Sequence, residues 1–157
     1  MPIPEVKPAI ESIRGRREQK MSPQRRHAIV QARLGILLTN WAGRRGEVGT
    51  EWRFYISPPG EAPSSLVPDV AYVSFERLPF DLGEAREKPE IAPDIAVEIL
   101  SPGDRPSLLE EKIAIYIANG CRAVVVVDPI AKTVRVSGSL DAFPGLQIDT
   151  GKLFENV

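Results

Sequence analysis

One cysteine and one histidine in 157 residues are too few soft ligands for a structural zinc site, and a lone cysteine has no partner for an internal disulfide. Cys121 stands between a helix-ending glycine and an apolar strand pattern, so it reads as a small core residue rather than a nucleophile. No apolar run reaches the length of a membrane span, and no charged-then-apolar leader opens the chain; a cytoplasmic protein without a membrane partner is expected. Charge of one sign is also lacking. The 20 Lys and Arg stand against 21 Asp and Glu, which argues against a protein that coats nucleic acid through bulk positive charge. Basic residues interleaved with aromatics, the pattern of many nucleic-acid modules, are missing too.

What is present is a chain 43% hydrophobic, enough for one core, so a single domain over residues 9–157 is expected after a loose arm, 1–8, that holds three prolines. The most informative stretch is Ala92-Pro93-Asp94-Ile95-Ala96-Val97-Glu98-Ile99-Leu100-Ser101-Pro102. Its β-branched content marks a central strand. Alternation puts Asp94, Ala96, Glu98 and Leu100 on one face and Ile95, Val97 and Ile99 on the other. A buried carboxylate without a partner protonates, finds a cation or binds a metal, so this face is a candidate site; pairing of Glu98 with an arginine is the plain alternative. A second Pro-Asp pair opens the strand Leu66–Val73, with Val67, Asp69, Ala71 and Val73 on one face. A helix over 106–119, closed by Gly120, follows the first strand, with Leu109, Ile113, Tyr116 and Ile117 as its core stripe. Lys112 lies beside that stripe and can point back over the strand end.

Asp69, Glu98 and Lys112 thus converge in principle. Two carboxylates around a hard cation with an ammonium nearby suit metal-assisted hydrolysis of a phosphodiester: Mg²⁺, or Mn²⁺ in its place, takes one or two carboxylates and keeps several waters. Asp94 can add a third ligand or hold the lysine.

The signatures V-P-D-V-A-Y-V, A-P-D-I-A-V-E-I-L-S-P and E-K-I-A-I-Y-I-A-N-G-C-R-A-V-V-V-V-D-P resemble the Uma-two family, a branch of the PD-(D/E)XK nuclease superfamily, from about Ile13 to the C-terminus. The resemblance implies a restriction-endonuclease-like α/β fold: a mixed central sheet flanked by two helices, here with an N-terminal hairpin. It also implies a Mg²⁺-dependent DNA endonuclease with catalytic roles on Asp69, Glu98 and Lys112. The position two after Glu98 is Leu100 where the superfamily has lysine, so the basic residue must come from the following helix. A binding module that keeps the fold without the chemistry is the rival reading. A nuclease-like subunit acting with a partner, or as a homodimer, keeps the same residues in place.

Charge is unevenly spread. Residues 1–53 hold 11 Lys and Arg against 5 Asp and Glu, and the remaining 104 hold 9 against 16. Arg14, Arg16, Arg17, Lys20, Arg25, Arg26, Arg33, Arg44 and Arg45 are therefore expected to form a basic face for DNA phosphates, an ordinary solvated surface being the alternative. His27 opens the next helix and reads as structural or solvent-facing before catalytic. Glu51 alternates away from Trp52 and Phe54; it belongs to the surface unless it approaches the site from a third side. Asp149-Thr150-Gly151 looks like an aspartic-protease nucleus but stands once in polar surroundings, as a turn does.

The remaining punctuation predicts a hairpin, 10–13 with 16–21, around Arg14-Gly15. A helix from Ser22-Pro23 to about Trp41 buries Ile29, Leu34, Ile36, Leu37, Leu38 and Trp41. A strand over 48–56, a loop over 57–65 and a surface excursion over 75–91 follow. An apolar strand over 123–128 pairs with 132–137, and a last strand lies near 146–148.

Overall fold

The computed structural model describes residues 3–157. Five strands form a mixed sheet in the order β3 (Gly46–Thr50), β6 (Val70–Ser74), β7 (Ile95–Ile99), β8 (Ala123–Asp128) and β9 (Thr133–Gly138). Only β7 and β8 run parallel, because α2 (Pro106–Ala118) carries the chain back between them. The expected hairpin is β1 (Ile10–Ile13) with β2 (Arg16–Gln19). It continues into a second sheet, β2-β1-β5-β4, with β5 (Ser64–Leu66) and β4 (Phe54–Ile56), which the sequence reading did not foresee.

Strand alternation divides the core in two. Ile95, Val97 and Ile99 face α1 (Arg25–Ala42), which buries Val30, Leu34, Leu38 and Ala42 against them. Ala96 faces the opposite side, where Leu109, Ile113 and Tyr116 of α2 meet Ile13, Ile56 and Leu66 of the second sheet. Glu98 shares that face, so it points into the seam between the two sheets and α2 rather than toward solvent.

Several expected boundaries move. The single strand over 48–56 is two strands in different sheets, separated at Glu51, whose φ of 54° breaks the pleat. The loop over 57–65 ends early because Ser64 and Ser65 are buried and accept hydrogen bonds from Arg14 N and Arg53. Helix α1 starts at Arg25 after an extended Gln24, not at Ser22-Pro23. Ile36 and Ile117, expected in the core, are exposed. Val30 and Ile115 take the inward positions instead. No strand forms over 146–148; Asp149 caps α3 (Thr150–Leu153) by accepting from Lys152 N. The excursion after β6 carries a short 3₁₀ segment, Phe80–Arg86. No helix among the described residues is long and apolar enough to cross a membrane.

Gly46 opens β3 against β6, and a Cβ there would run into the Val73 carbonyl and Ser74 Cα. Gly46→Ala is expected to destabilise the fold by about 2 kcal/mol, read as a lower urea midpoint with unchanged slope.

Candidate active site

Asp69 lies in the short link between β5, which ends at Leu66 in the second sheet, and β6, which starts at Val70 in the first, so the aspartate stands where the two sheets part. Its N–H donates to Val97 O, and its Oδ2 accepts from Ile99 N at 2.7 Å, which clasps it across the end of β7. Glu98 lies between those two residues, and both acids are buried, 2% and 4% exposed. They border a cleft of about 1040 Å³ between the hairpin, the start of α1 and the start of α2.

Each acid already has a lysine. Lys112 of α2 places Nζ 3.3 Å from Glu98 Oε2 and 3.1 Å from Glu11 Oε1. Lys20, just past β2, places Nζ 2.9 Å from Asp69 Oδ1, 3.2 Å from Glu51 Oε2 and 2.8 Å from Val67 O. The Val67 peptide closes the network, since its N–H donates to Glu11 Oε2 at 2.8 Å. His27 Nε2 lies 3.1 Å from the same Asp69 oxygen that Lys20 meets. Gln31 donates to both Asp69 O and Glu51 Oε1.

The electrostatics follow from this pairing. Burial penalises the Asp69 charge, but Lys20, His27 and the Ile99 N–H together hold its carboxyl well below the usual range. Burial dominates at Glu98; with Glu11 and Asp69 nearby it outweighs Lys112 and pushes the carboxyl up to about 7. Burial works against both lysine charges, yet the surrounding acids hold Lys20 and Lys112 charged far above neutral pH. His27 is shifted upward: burial opposes the cation, and the bond and charge of Asp69 prevail. A raised Glu98 binds more protons folded than unfolded, so its contribution to stability is present below its ordinary 4.5 and is lost as pH rises through about 7. In chelator, wild type should therefore lose melting temperature relative to Glu98→Gln between about pH 5 and about pH 8. A pH-independent difference would refute that shift.

Glu98 Oε1 and Tyr116 Oη are buried without a hydrogen-bond partner among the described residues, and Tyr116 stands one turn beyond Lys112 on α2. An unpartnered carboxylate oxygen beside a second carboxylate fits a hard cation. Among the described residues no group of three His, Cys, Asp or Glu is arranged as a ready-made cage. The donor set therefore matches an ion held by two carboxylates that keeps its waters, as Mg²⁺ does, rather than a fully protein-ligated one.

The remaining expected site residues are distributed as follows. Asp94, expected near the same ion, stands at the other end of β7, where Oδ2 accepts from Ser74 N at 2.8 Å and meets Arg77 at 3.3 Å. Four residues of strand separate it from Glu98 by about 13 Å, so sharing a face does not bring the two acids together. Glu51 does approach from a third side while remaining exposed, and His27 is neither solvent-facing nor remote. The sequence reading did not single out Glu11, although I-E-S-I puts it on the same face as the core residue Ile13, just as the strand of Glu98 puts that acid on the face of Ala96.

The basic residues do not form one face. Arg14 and Arg16 pair with Glu111, Arg14 also with Glu61. Arg25 and Arg33 donate to carbonyls of the C-terminal segment, 152–156. Arg45 stacks over Trp41 at the far end of α1, where Arg44 is exposed. That end lies about 24 Å along the helix from the exposed Arg26. Lys20 belongs to the buried network, and Arg17 lies on the exposed β2. The cleft mouth is spanned instead by an ion pair, Glu18 to Arg105 at 2.8 Å. Residues 5–8, expected within a loose arm, line the cleft, and Glu5 meets Lys88 at 2.9 Å; residues 1–2 of that arm lie outside the described residues. Cys121 is buried, and burial pushes its thiol up to about 12, which suits a core residue.

Comparison with known proteins gives two findings. A family profile, Uma2, described as "Putative restriction endonuclease", matches residues 1–142. The fold is similar to the crystal structure of "a putative nuclease belonging to DUF820" from Anabaena variabilis ATCC 29413. The TM-score is 0.80 at 26% identity, over 97% of this chain and 93% of that one. No curated protein matches.

Proposed function

Because the chain belongs to the Uma2 family of restriction-endonuclease-like proteins, we propose that it is a nuclease that hydrolyses DNA phosphodiester bonds with a divalent ion, Mg²⁺ or Mn²⁺, at Asp69 and Glu98. One observation carries the reading: two buried carboxylates on adjacent strand ends, one with a free oxygen, border an open cleft with the Lys112 ammonium 3.3 Å from Glu98. The ion, when bound, polarises the phosphoryl oxygen and makes water a better nucleophile at neutral pH.

The chain's own residues supply the rest. Asp69, fixed by the Ile99 N–H, and Glu98, fixed by Lys112, are held before substrate arrives, so little reorganisation is needed at the moment of reaction. Lys112 substitutes for the lysine absent at Leu100 and aligns the attacking water or offsets charge growing on the phosphate. Glu11 is a positioning residue: it holds Lys112 from one side while Val67 N holds Glu11. Burial works against the Lys112 charge, but Glu98 and Glu11 on either side of it keep the ammonium charged, so it orients and stabilises rather than removing a proton.

The test is cleavage of supercoiled plasmid and of single-stranded DNA with Mg²⁺, Mn²⁺ or chelator. Metal-dependent nicking or shortening that chelator abolishes is expected. No cleavage of any DNA or RNA under any metal would leave the non-catalytic module as the reading.

A further inference from the structure

Lys20 has no free donor. Its three ammonium hydrogens face three acceptors, Asp69 Oδ1, Glu51 Oε2 and Val67 O, and its side chain is 12% exposed. It therefore cannot reach a phosphate without giving up a bond, although its sequence position suggested a surface contact to DNA. Asp69 is equally occupied: Lys20 and His27 share Oδ1, and the Ile99 N–H takes Oδ2. Glu98 differs, with Oε1 unpartnered. A cation entering between the two acids finds one oxygen waiting on Glu98 and an ammonium already seated on Asp69.

We propose that Lys20 is the resident counter-ion of Asp69, which competes with the divalent ion and sets the concentration at which that ion enters. The inference rests on the metal-dependent reading above. A divalent charge and an ammonium on the same carboxylate oxygen repel, so one yields. Glu51 is the carboxylate to which Lys20 remains tied when it leaves Asp69. Gln31 braces Glu51 at 3.0 Å, and its position at the break between β3 and β4 keeps it beside the cleft rather than inside a strand. The arrangement also explains how two buried acids coexist without metal: each has a lysine of its own.

The experiment measures Mn²⁺ binding by titration calorimetry, with melting temperatures in chelator, for wild type, Lys20→Met, Lys20→Arg and Glu51→Gln. Lys20→Met should melt lower in chelator yet bind Mn²⁺ at least about tenfold tighter, since the competing charge is gone. Lys20→Arg, which keeps the charge, should bind no tighter than wild type; tighter binding by Lys20→Met but not by Lys20→Arg is an outcome that a purely structural role would not produce. Glu51→Gln should bind several-fold more weakly, and that loss should shrink in the Lys20→Met background.

Lys20→Met binding no tighter than wild type overturns the inference. Should Lys20→Met fail to fold, the exposed Glu51→Gln decides alone, and unchanged Mn²⁺ affinity there overturns it. Tighter Mn²⁺ binding in Lys20→Met with no DNA cleavage by any variant supports the inference while removing the nuclease reading. No Mn²⁺ binding by any folded variant removes both.

Discussion

Lys112→Met should lose turnover by at least about 10²-fold while still binding Mn²⁺ at a pH where Glu98 is ionised, because the ammonium acts on substrate and water rather than on the ion. The substitution removes the cation shared by Glu98 and Glu11, at 3.3 and 3.1 Å, and leaves two buried carboxylates facing each other. Breaking a buried ion pair from one side costs roughly 3–5 kcal/mol. Here Glu98, already held near about 7, takes up a proton and relieves part of it. The variant should therefore be least stable above neutral pH and recover as pH falls, so turnover must be compared where both proteins are folded. Adding Glu11→Gln should restore stability without restoring cleavage, which separates the structural part of the lysine from the chemical part. Cleavage by Lys112→Met at the wild-type rate would end its catalytic role.

The acid-bearing face of β7 was legible because a period of two leaves no choice: once Ile95, Val97 and Ile99 enter one core, Glu98 must enter the other. The same rule applied to I-E-S-I places Glu11 on the buried face of Ile13, and a strand of four residues is too short to make that pattern stand out. Asp94 shows where the rule stops, for alternation gives the face and not the distance along it, and the cation beside Asp94 is Arg77 from the loop after β6. The network around Asp69 was beyond reach for a different reason. Lys20, His27 and Glu51 come from a hairpin exit, a helix start and a strand break, and no periodicity links them. Composition assigned Lys20 and the N-terminal arginines together to a DNA face. Tertiary contacts sort them: one enters a buried network, others hold α2 or the carbonyls of the C-terminal segment. The second sheet was missed because the chain passes from β3 to β4 without a glycine or proline; the turn is made at Glu51 in a left-handed conformation that a glutamate adopts only under tertiary constraint.

Glu98→Gln should abolish the response to divalent ions and turnover together, and so separate an ion-binding acid from a merely buried one. In wild type, Mn²⁺ at a hundred times its dissociation constant should add about 2.7 kcal/mol to the folded state, a rise of about 5–10 °C in melting temperature for a domain of this size. The glutamine keeps the volume and can still accept from Lys112, yet it cannot offer the unpartnered anionic Oε1 that fits the cation. In chelator the variant should melt at or above wild type near pH 8, since the substitution removes a carboxylate that burial disfavours. Asp69→Asn behaves differently. Asp69 is a paired acid with a lowered pKa, and losing its charge strands Lys20 and His27, so that variant should melt lower in chelator. Opposite stability changes from two neighbouring acids, with loss of the Mn²⁺ response in both, are what this site requires. A Glu98→Gln protein that Mn²⁺ stabilises as much as wild type would show that the ion does not bind at Glu98.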